Sequence, residues 1–224
     1  MRTLYDGHDA CIPMLDIEGN EFRIDQGDTM NPTGTPARHL GEAARVTLRH
    51  LRRQDHAEIA ALTRESTELH RPWLGVHALT AEAFERRLER FARPTHEGFV
   101  ICLRETGAIV GGVNVNDILR GSRQCGTLGF TAYAATTGRG YLTEGLGLVI
   151  RHAFGPLGLH RLEANIQPGN TRSLALVRRL GFRYEGFSPA FQQIDGEWRD
   201  HERWALVSGD AGQAGPADGE HRPR

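Results

Sequence analysis

The order of strand-like and helix-like segments in residues 45–207 is the feature that most constrains the fold. RVTLRHL alternates as a strand and leads into the helix HAEIAALTRES, whose start carries Asp55 and Glu58 at a capping-box-like spacing. An amphipathic helix then begins near Thr80. GFVICLRE, GAIVGGVNVNDIL and CGTLGFTAY follow as strand-like runs separated by Gly-rich or polar turns, which is typical of an antiparallel meander.

Two helix-plus-strand units follow the meander. YLTEGLGLVIRHAF carries its apolar residues on one stripe and precedes the strand HRLEANIQ. TRSLALVRRLGF is a helix closed by Gly181, and EWRDHERWALV is the final strand. The order β-α-α-β-β-β-α-β-α-β-β predicts an α/β (α+β) fold, in which a mixed, mostly antiparallel central sheet is flanked by helices.

The two ends of the chain differ in composition from the middle. Residues 1–42 are rich in Gly, Asp, Pro, Thr and Asn without a sustained period, which predicts a flexible leader. Within it, ACIPMLDIEG is long enough for a short edge strand, and the composition is compatible with a translational start at Met1 or Met30. Residues 209–224 are too weakly hydrophobic to order themselves and predict a disordered tail. One domain over residues 43–208 is expected between them.

Composition excludes several classes of function. The formal net charge of -1 supplies no basic field for a phosphate backbone, so we expect no direct nucleic-acid binding. Three cysteines without C-x-x-C spacing favour neither a disulfide framework nor a metal site. No apolar run approaches the roughly 18 residues of a membrane span, and the N-terminus lacks signal-peptide features. We therefore expect a cytoplasmic protein without metal or membrane contact.

The stretch TTGRGYLTEGLG places a glycine turn directly before a helix N-terminus. The first turn of a helix leaves backbone N–H groups unpaired and carries roughly half a positive charge, so an anion is one natural occupant. An ordinary loop explains the same residues equally well. Gly145 and Gly147 lie inside the helix, where close packing against the sheet is the favoured reason for them.

An ordered set of motifs resembles the GNAT acyltransferases. GRGYLTEGL, then HRLEANIQPGNTRSLALVRRLGF with YEG, then IDGEWRDH, are similar to the RimJ/RimL branch, and closest to the RimJ type. The resemblance implies the GNAT fold and acetyl-CoA as cosubstrate. Ala135 stands where the superfamily usually has Arg or Gln, so one phosphate contact is missing or is made by Arg139. The cofactor residues that the resemblance implies are Gly138, Arg139, Gly140, Tyr141, Leu142 and Thr143 for the pyrophosphate, and Phe130, Ala132 and Asn170 for the pantetheine arm.

The catalytic groups are less clearly indicated. The tyrosine that many GNAT enzymes place seven residues after the motif asparagine is Val177 here, whereas the RimL-type serine is present as Ser173. The resemblance therefore implies that Ser173 stabilises the leaving thiolate, although a serine in a first helical turn is also a common capping residue. Gln192 replaces the RimL-type glutamate, which leaves Glu163 as the nearest candidate base.

The resemblance implies an amine acceptor that enters between the first helices. Trp73, in LHRPWLG, is a candidate wall of the acceptor cleft or the filling of a helix–helix corner, and Asp200 and His201 are candidates to line the same cleft. An α-amine titrates near ~7.7 to 8 and a lysine amine near ~10.4, so an N-terminal amine needs less help from a base. We expect a protein N-terminus, with a ribosomal protein among the candidates, a small-molecule amine as the alternative, and a non-catalytic CoA-binding regulatory module as the alternative of another class. The protein is expected to be a monomer or a homodimer.

Overall fold

The computed structural model describes residues 40–74 and 79–210. Most of the predicted leader, including Met30 and ACIPMLDIEG, and residues 211–224 of the predicted tail lie outside these ranges. Their disorder stays a prediction. Ordered structure includes a few residues of the predicted leader and tail. Gly41–Glu42 form a strand, and residues 208–210 form a turn in which the Asp210 N–H donates to the Val207 carbonyl (2.9 Å).

Eight strands and five helices make up the described residues. The strands are β1 (Gly41–Glu42), β2 (Val46–His50), β3 (Glu97–Leu103), β4 (Ile109–Leu119), β5 (Cys125–Ala132), β6 (Arg161–Ile166), β7 (Arg183–Ile194) and β8 (Glu197–Val207). The helices are α1 (His56–Glu65), α2 (Thr67–His70), α3 (Ala81–Phe91), α4 (Tyr141–Phe154) and α5 (Thr171–Arg179). The predicted order is confirmed, with β1 and α2 as additions.

All the strands belong to one sheet of order β1-β2-β3-β4-β5-β6-β8-β7. Every neighbouring pair is antiparallel except β5 and β6, which run parallel because α4 crosses between them. The predicted mixed, mostly antiparallel sheet is therefore confirmed.

The helices cover both faces of the sheet. Side chains of β3 alternate between the faces, so that Phe99 and Ile101 join α4 and α5 in one buried cluster while Val100 joins α1 and α3 in a second. The larger cluster holds Leu146 of α4, which is fully buried. Among residues 40–74 and 79–210, none of the helices is both long and apolar enough to cross a bilayer.

The central strands separate at one point of the sheet. The parallel pairing of β5 with β6 extends only from Cys125 opposite Arg161 to Thr127 opposite Glu163. Beyond Thr127, residues 128–132 of β5 pair with β4 on one side but with no described strand on the other. Within the described residues, a strand edge without a strand partner therefore opens in the middle of the domain, here called the free edge of β5.

Candidate active site

The glycine turn between β5 and α4 has a backbone that few other residues adopt. Gly138 and Gly140 both have φ of +80°, which is the left-handed region where a Cβ is strained. Gly140 is the N-cap of α4, and no side chain caps this helix. The N–H groups of the first turn are therefore left for another partner, as an anion-binding helix start requires.

A cavity of about 700 Å³, here called the loop cavity, lies between this turn, the free edge of β5 and α5. Most of the residues predicted to bind acetyl-CoA line it, which places them together in one site. These are Phe130, Ala132, Gly138, Gly140, Tyr141, Leu142, Thr143 and Asn170. Trp73 and Ser173 line it too.

Arg139 is the one predicted cofactor residue that does not line the loop cavity. Two arginines that the sequence did not single out, Arg172 and Arg179 of α5, line it instead. Both arginines belong to α5. Their seven-residue spacing, which puts them on one face of the helix, was the sequence signal that could have identified them.

The start of α4 is also tied to β2. Arg45 donates from Nε to Glu144 Oε1 (2.6 Å) and from its backbone N–H to Oε2 (3.0 Å). Its guanidinium lies 4.9 Å from the centre of the Tyr141 ring. Glu144 therefore has a structural role at this helix start.

The free edge of β5 ends at a contact with α2. The Nε2–H of His70 donates to the Ala132 carbonyl (2.7 Å). Ser66, which is buried, accepts from the Ala134 N–H through its hydroxyl (2.9 Å). These bonds hold the strand end and the turn after it in place against the first helices.

Asn170 caps α5, and Ser173 does not. The Asn170 Oδ1 accepts from the Ser173 backbone N–H (3.2 Å), so Asn170 is the N-cap of α5 as well as a residue of the loop cavity. Among the described residues, the Ser173 hydroxyl has no protein hydrogen-bond partner. Because Ser173 lines two cavities, its hydroxyl is available to a ligand.

A second cavity of about 480 Å³, here called the amide cavity, adjoins the first across Phe130, Asn170 and Ser173. Trp73 lies at the boundary of both, with its indole against Gly169, so it is a cavity wall. The polar lining of the amide cavity is mainly carboxamide. It includes Asn114, Asn116, Asn165, Gln167, Gln192 and Gln193, together with Thr127, Asp195, His201 and Arg90.

Asn116 carries an unsatisfied atom at this cavity. Its Oδ1 is buried and has no hydrogen-bond partner within the described part of the chain. A buried acceptor without a donor costs about 1–3 kcal/mol, so a ligand N–H or a water is its natural partner. The alternation NVN in β4 was the sequence signal, because it puts Asn114 and Asn116 on one face.

Besides Arg139, two predicted site residues, Glu163 and Asp200, line neither cavity. The Glu163 Oε1 accepts from Arg161 Nε (2.8 Å), and Arg161 also binds Glu185, which lowers the pKa of the Glu185 carboxyl. Glu163 is therefore engaged in an ion-pair network outside both cavities. The Asp200 Oδ1 accepts from the Ala190 N–H (2.8 Å), where Ala190 has φ of +46° in a bulge of β7. Asp200 thus holds the bulge instead of lining the acceptor cleft.

The chain can now be compared with known proteins. A family model described as an acetyltransferase (GNAT) domain matches residues 45–183. A probable N-acetyltransferase, YjcK of Bacillus subtilis, is 32% identical over 135 residues, which cover 58% of this chain and 75% of that protein. The [ribosomal protein uS5]-alanine N-acetyltransferase of Escherichia coli is 38% identical over 102 residues, which cover 46% of this chain and 53% of that enzyme. The matched region thus spans only about half the length of the E. coli enzyme.

Solved structures agree with the family model. Mycobacterium smegmatis RimJ in complex with CoA-disulfide has a TM-score of 0.69 and 30% identity, and the match covers 75% of this chain and 84% of that one. A Vibrio cholerae spermidine N-acetyltransferase SpeG chimera shares the fold at a TM-score of 0.65 with 18% identity, over 75% of this chain and 98% of its own. The motifs, the split sheet and these matches agree: the chain belongs to the GNAT acetyltransferase family and is an acetyl-CoA-dependent N-acetyltransferase.

Proposed function

We propose that this enzyme acetylates the N-terminal α-amine of a protein, with a ribosomal protein as the favoured acceptor. The observation that carries the proposal is the charge of the amide cavity. Among its described lining residues, Asp195 is the one carboxylate and Arg90 the one arginine, so the formal charges cancel. A polyamine carries several positive charges and would need several carboxylates. A peptide N-terminus presents one amine followed by amide groups, which matches a carboxamide lining.

The relatives support the same acceptor class. The E. coli relative is named for an alanine of ribosomal protein uS5, and the M. smegmatis neighbour is a RimJ. The SpeG neighbour, below 25% identity, supports the fold alone.

In the proposed complex the loop cavity holds acetyl-CoA. The pyrophosphate lies on the glycine turn and on the N–H groups of Tyr141, Leu142 and Thr143, where a helix start favours negative charge. Arg172 and Arg179 supply the positive side chains of this cavity. The pantetheine arm pairs with the free edge of β5 beside Phe130, which brings the thioester to the boundary of the two cavities.

The chemistry follows from that placement. The acceptor amine enters through the amide cavity and attacks the thioester carbonyl carbon as a neutral nucleophile. The C–N bond forms, the C–S bond breaks, and the Ser173 hydroxyl donates a hydrogen bond to the departing thiolate. Trp73 separates the two cavities and orients the acceptor.

Thiol release with a panel of acceptors tests the proposal. We expect turnover with Ala- and Ser-starting peptides and little with spermidine or aminoglycosides. The preference is measured as the ratio of kcat/KM values. A preference for the small amines would overturn the acceptor assignment and leave the cofactor site intact.

A glycine pair tests the cofactor site separately. Gly138→Val should abolish acetyl-CoA binding in calorimetry, because valine does not adopt φ of +80° readily and its side chain would occupy the pyrophosphate space. Gly140→Val should act likewise. Gly107→Val is the matched control, since Gly107 has φ of +75° in a turn and lines neither cavity. Equal CoA affinity in all three variants would refute the placement of the pyrophosphate.

A further inference from the structure

The amide cavity lacks an evident carboxylate base. Gln192 stands where a RimL-type enzyme has glutamate, and a carboxamide does not take up a proton at neutral pH. Glu163 is bound to Arg161 and lies outside the cavity. Asp195 has φ of +50° in the two-residue turn between β7 and β8, and its placement there serves the hairpin.

One titratable side chain of the lining remains, and it is almost completely buried. His201 on β8 is 3% exposed and lines the amide cavity. Its Nδ1 lies 3.0 Å from the Arg199 carbonyl oxygen. A carbonyl oxygen only accepts, so Nδ1 carries the hydrogen and the neutral ring keeps a lone pair on Nε2. Nε2 has no hydrogen-bond partner among residues 40–74 and 79–210.

The ring is held by its surroundings. β8 is paired on one side with β6 and on the other with β7, where Ser188 lies opposite His201. The Phe191 ring lies 5.5 Å from the imidazole, centre to centre. The register shift between Ser188 and Gln192 lets β7 bend at this point, and both Gln192 and His201 line the cavity.

The free edge of β5 forms another part of the cavity wall. Residues 128–131 line the same cavity as His201, and Phe130 and Thr131 also line the loop cavity. An amine that reaches a thioester on this edge therefore passes through the space that His201 faces.

We propose that His201 is the general base of the transfer, and that its Nε2 accepts the proton of the acceptor amine directly or through one water. The inference rests on transfer to an amine, as proposed above, but not on which amine is the acceptor. Asn116, with its unsatisfied Oδ1 in the same cavity, is a second acceptor for an amine N–H or for that water.

The step balances without any further reactant. The amine nitrogen gives its proton to Nε2, and its lone pair forms the C–N bond to the thioester carbon. The C–S bond then breaks and its electron pair leaves on sulfur. The imidazolium returns the proton through solvent to the thiolate, so the products are the acetylated amine and free CoA thiol.

Replacement of His201 gives the first test. His201→Gln should lower kcat/KM for an Ala-starting peptide by about 100- to 10,000-fold, the usual contribution of a general base, with CoA affinity unchanged. His160→Gln is the matched control and should retain full activity, because His160 is exposed and lines neither cavity. A His201→Gln enzyme within threefold of the wild type would overturn the proposal.

Chemical rescue separates a base from a structural ring. In His201→Ala, imidazole added at tens of millimolar should raise the rate with increasing concentration, and it should leave the wild type unaffected. Loss of activity in a folded His201→Ala protein that imidazole does not restore would show that the ring only supports the structure.

A measurement without acceptor keeps the inference separate from the acceptor assignment. Long-range ¹H–¹⁵N spectra of the resting enzyme should show a hydrogen on Nδ1 of His201 and none on Nε2. A hydrogen on Nε2 would overturn the proposal whatever the acceptor is. If the wild type acetylates neither the peptide nor spermidine, the acceptor assignment fails. The role of His201 is then still tested by the spectrum and by comparing the slow hydrolysis of acetyl-CoA by the wild type and by His201→Gln.

Discussion

Gly145→Ala in α4 gives a direct test of how closely this helix packs on the sheet. A Cβ built at Gly145 would lie 2.5 Å from Cγ1 and 2.8 Å from Cγ2 of Ile101, and closer still to its Cδ1. Ile101 is fully buried in the central strand β3, so it has little room to move. At Gly147, two residues along the helix, a Cβ would meet only the end of the Arg151 side chain at 3.7 Å.

The two glycines therefore predict opposite effects on the free energy of unfolding. Overpacking a core typically costs about 1–3 kcal/mol, while replacing a helical glycine by alanine returns up to about 1 kcal/mol. Gly145→Ala should lose about 1–2 kcal/mol on balance, whereas Gly147→Ala should gain about 0.5–1 kcal/mol. At roughly 2–4 °C per kcal/mol for a domain of this size, the two melting temperatures should differ by about 3–12 °C.

Thermal and denaturant unfolding of the two alanine variants measures this difference, and a double mutant identifies its cause. In an Ile101→Ala background the three crowding carbon atoms are gone, so Gly145→Ala should become neutral or stabilising, with a coupling energy of at least about 1 kcal/mol. If Gly145→Ala melts at or above Gly147→Ala, the close approach of α4 to β3 is wrong. An undiminished cost in the Ile101→Ala background would place the strain elsewhere.

Three further perturbations have defined outcomes. Ser173→Ala should lower kcat by about 10- to 1000-fold and leave the melting temperature nearly unchanged, because Asn170 provides the cap; the reverse pattern would retire the catalytic role. Asn116→Val should raise the KM of the acceptor without lowering stability, since it removes a buried oxygen that lacks a donor; unfolding measurements that show a clear loss would contradict this. Burial raises the pKa of the Cys102 thiol, so in a Cys11→Ser background Cys102 should react with a disulfide reagent only on unfolding. Because the thiol of the unfolded chain ionises at a lower pH than the buried one, the free energy of unfolding should fall as the pH rises above about 8.5. Rapid labelling of Cys102 in the native protein would refute its burial.

The sequence predicted the fold because most elements are long enough to show a period. Each helix and strand predicted within residues 45–207 is present, and the parallel pair β5–β6 follows from the helix between them. The two elements that were missed are β1, with two residues, and α2, with four. Neither is long enough for one full repeat of a helical pattern or for a convincing alternation, so periodicity carries no information there.

The cofactor half of the site was predictable for a related reason. Gly138 and Gly140 need a particular backbone, and the helix start that follows them is continuous in sequence. A local conformation of this kind is determined by consecutive residues, so the sequence alone can predict it. Arg172 and Arg179 of α5 were not predicted, since their position depends on how α5 packs against the turn, and the predicted Arg139 does not line the loop cavity.

The acceptor half was predicted less well, because it depends on strand register. Asp200 and His201 are neighbours, so they point to opposite sides of β8, and only the pairing decides which one faces the cavity. Arg161, Glu163 and Asn165 share a face of β6. Arg161 binds Glu163, whereas Asn165 lines the amide cavity. Arg161 and Glu163 stand two residues apart in RLE, and this spacing was the sequence signal for the ion pair.

The same division explains why the acceptor has to be argued from side chains. A RimJ and a SpeG chimera superpose on this chain with TM-scores of 0.69 and 0.65, so the fold does not distinguish a ribosomal-protein acetyltransferase from a spermidine acetyltransferase. In this chain the split of the sheet and the glycine turn border the loop cavity, which is the proposed site of the cofactor. What can differ is the lining beyond the split, built from residues on several strands that change without disturbing the turn. In this chain that lining is carboxamide with one carboxylate, one arginine and one buried imidazole, and a substrate must fit those groups. Under the proposed function, a single amine followed by peptide groups offers one proton for His201 and N–H and C=O partners for the carboxamides, whereas a polyamine would leave most of its charge unpaired.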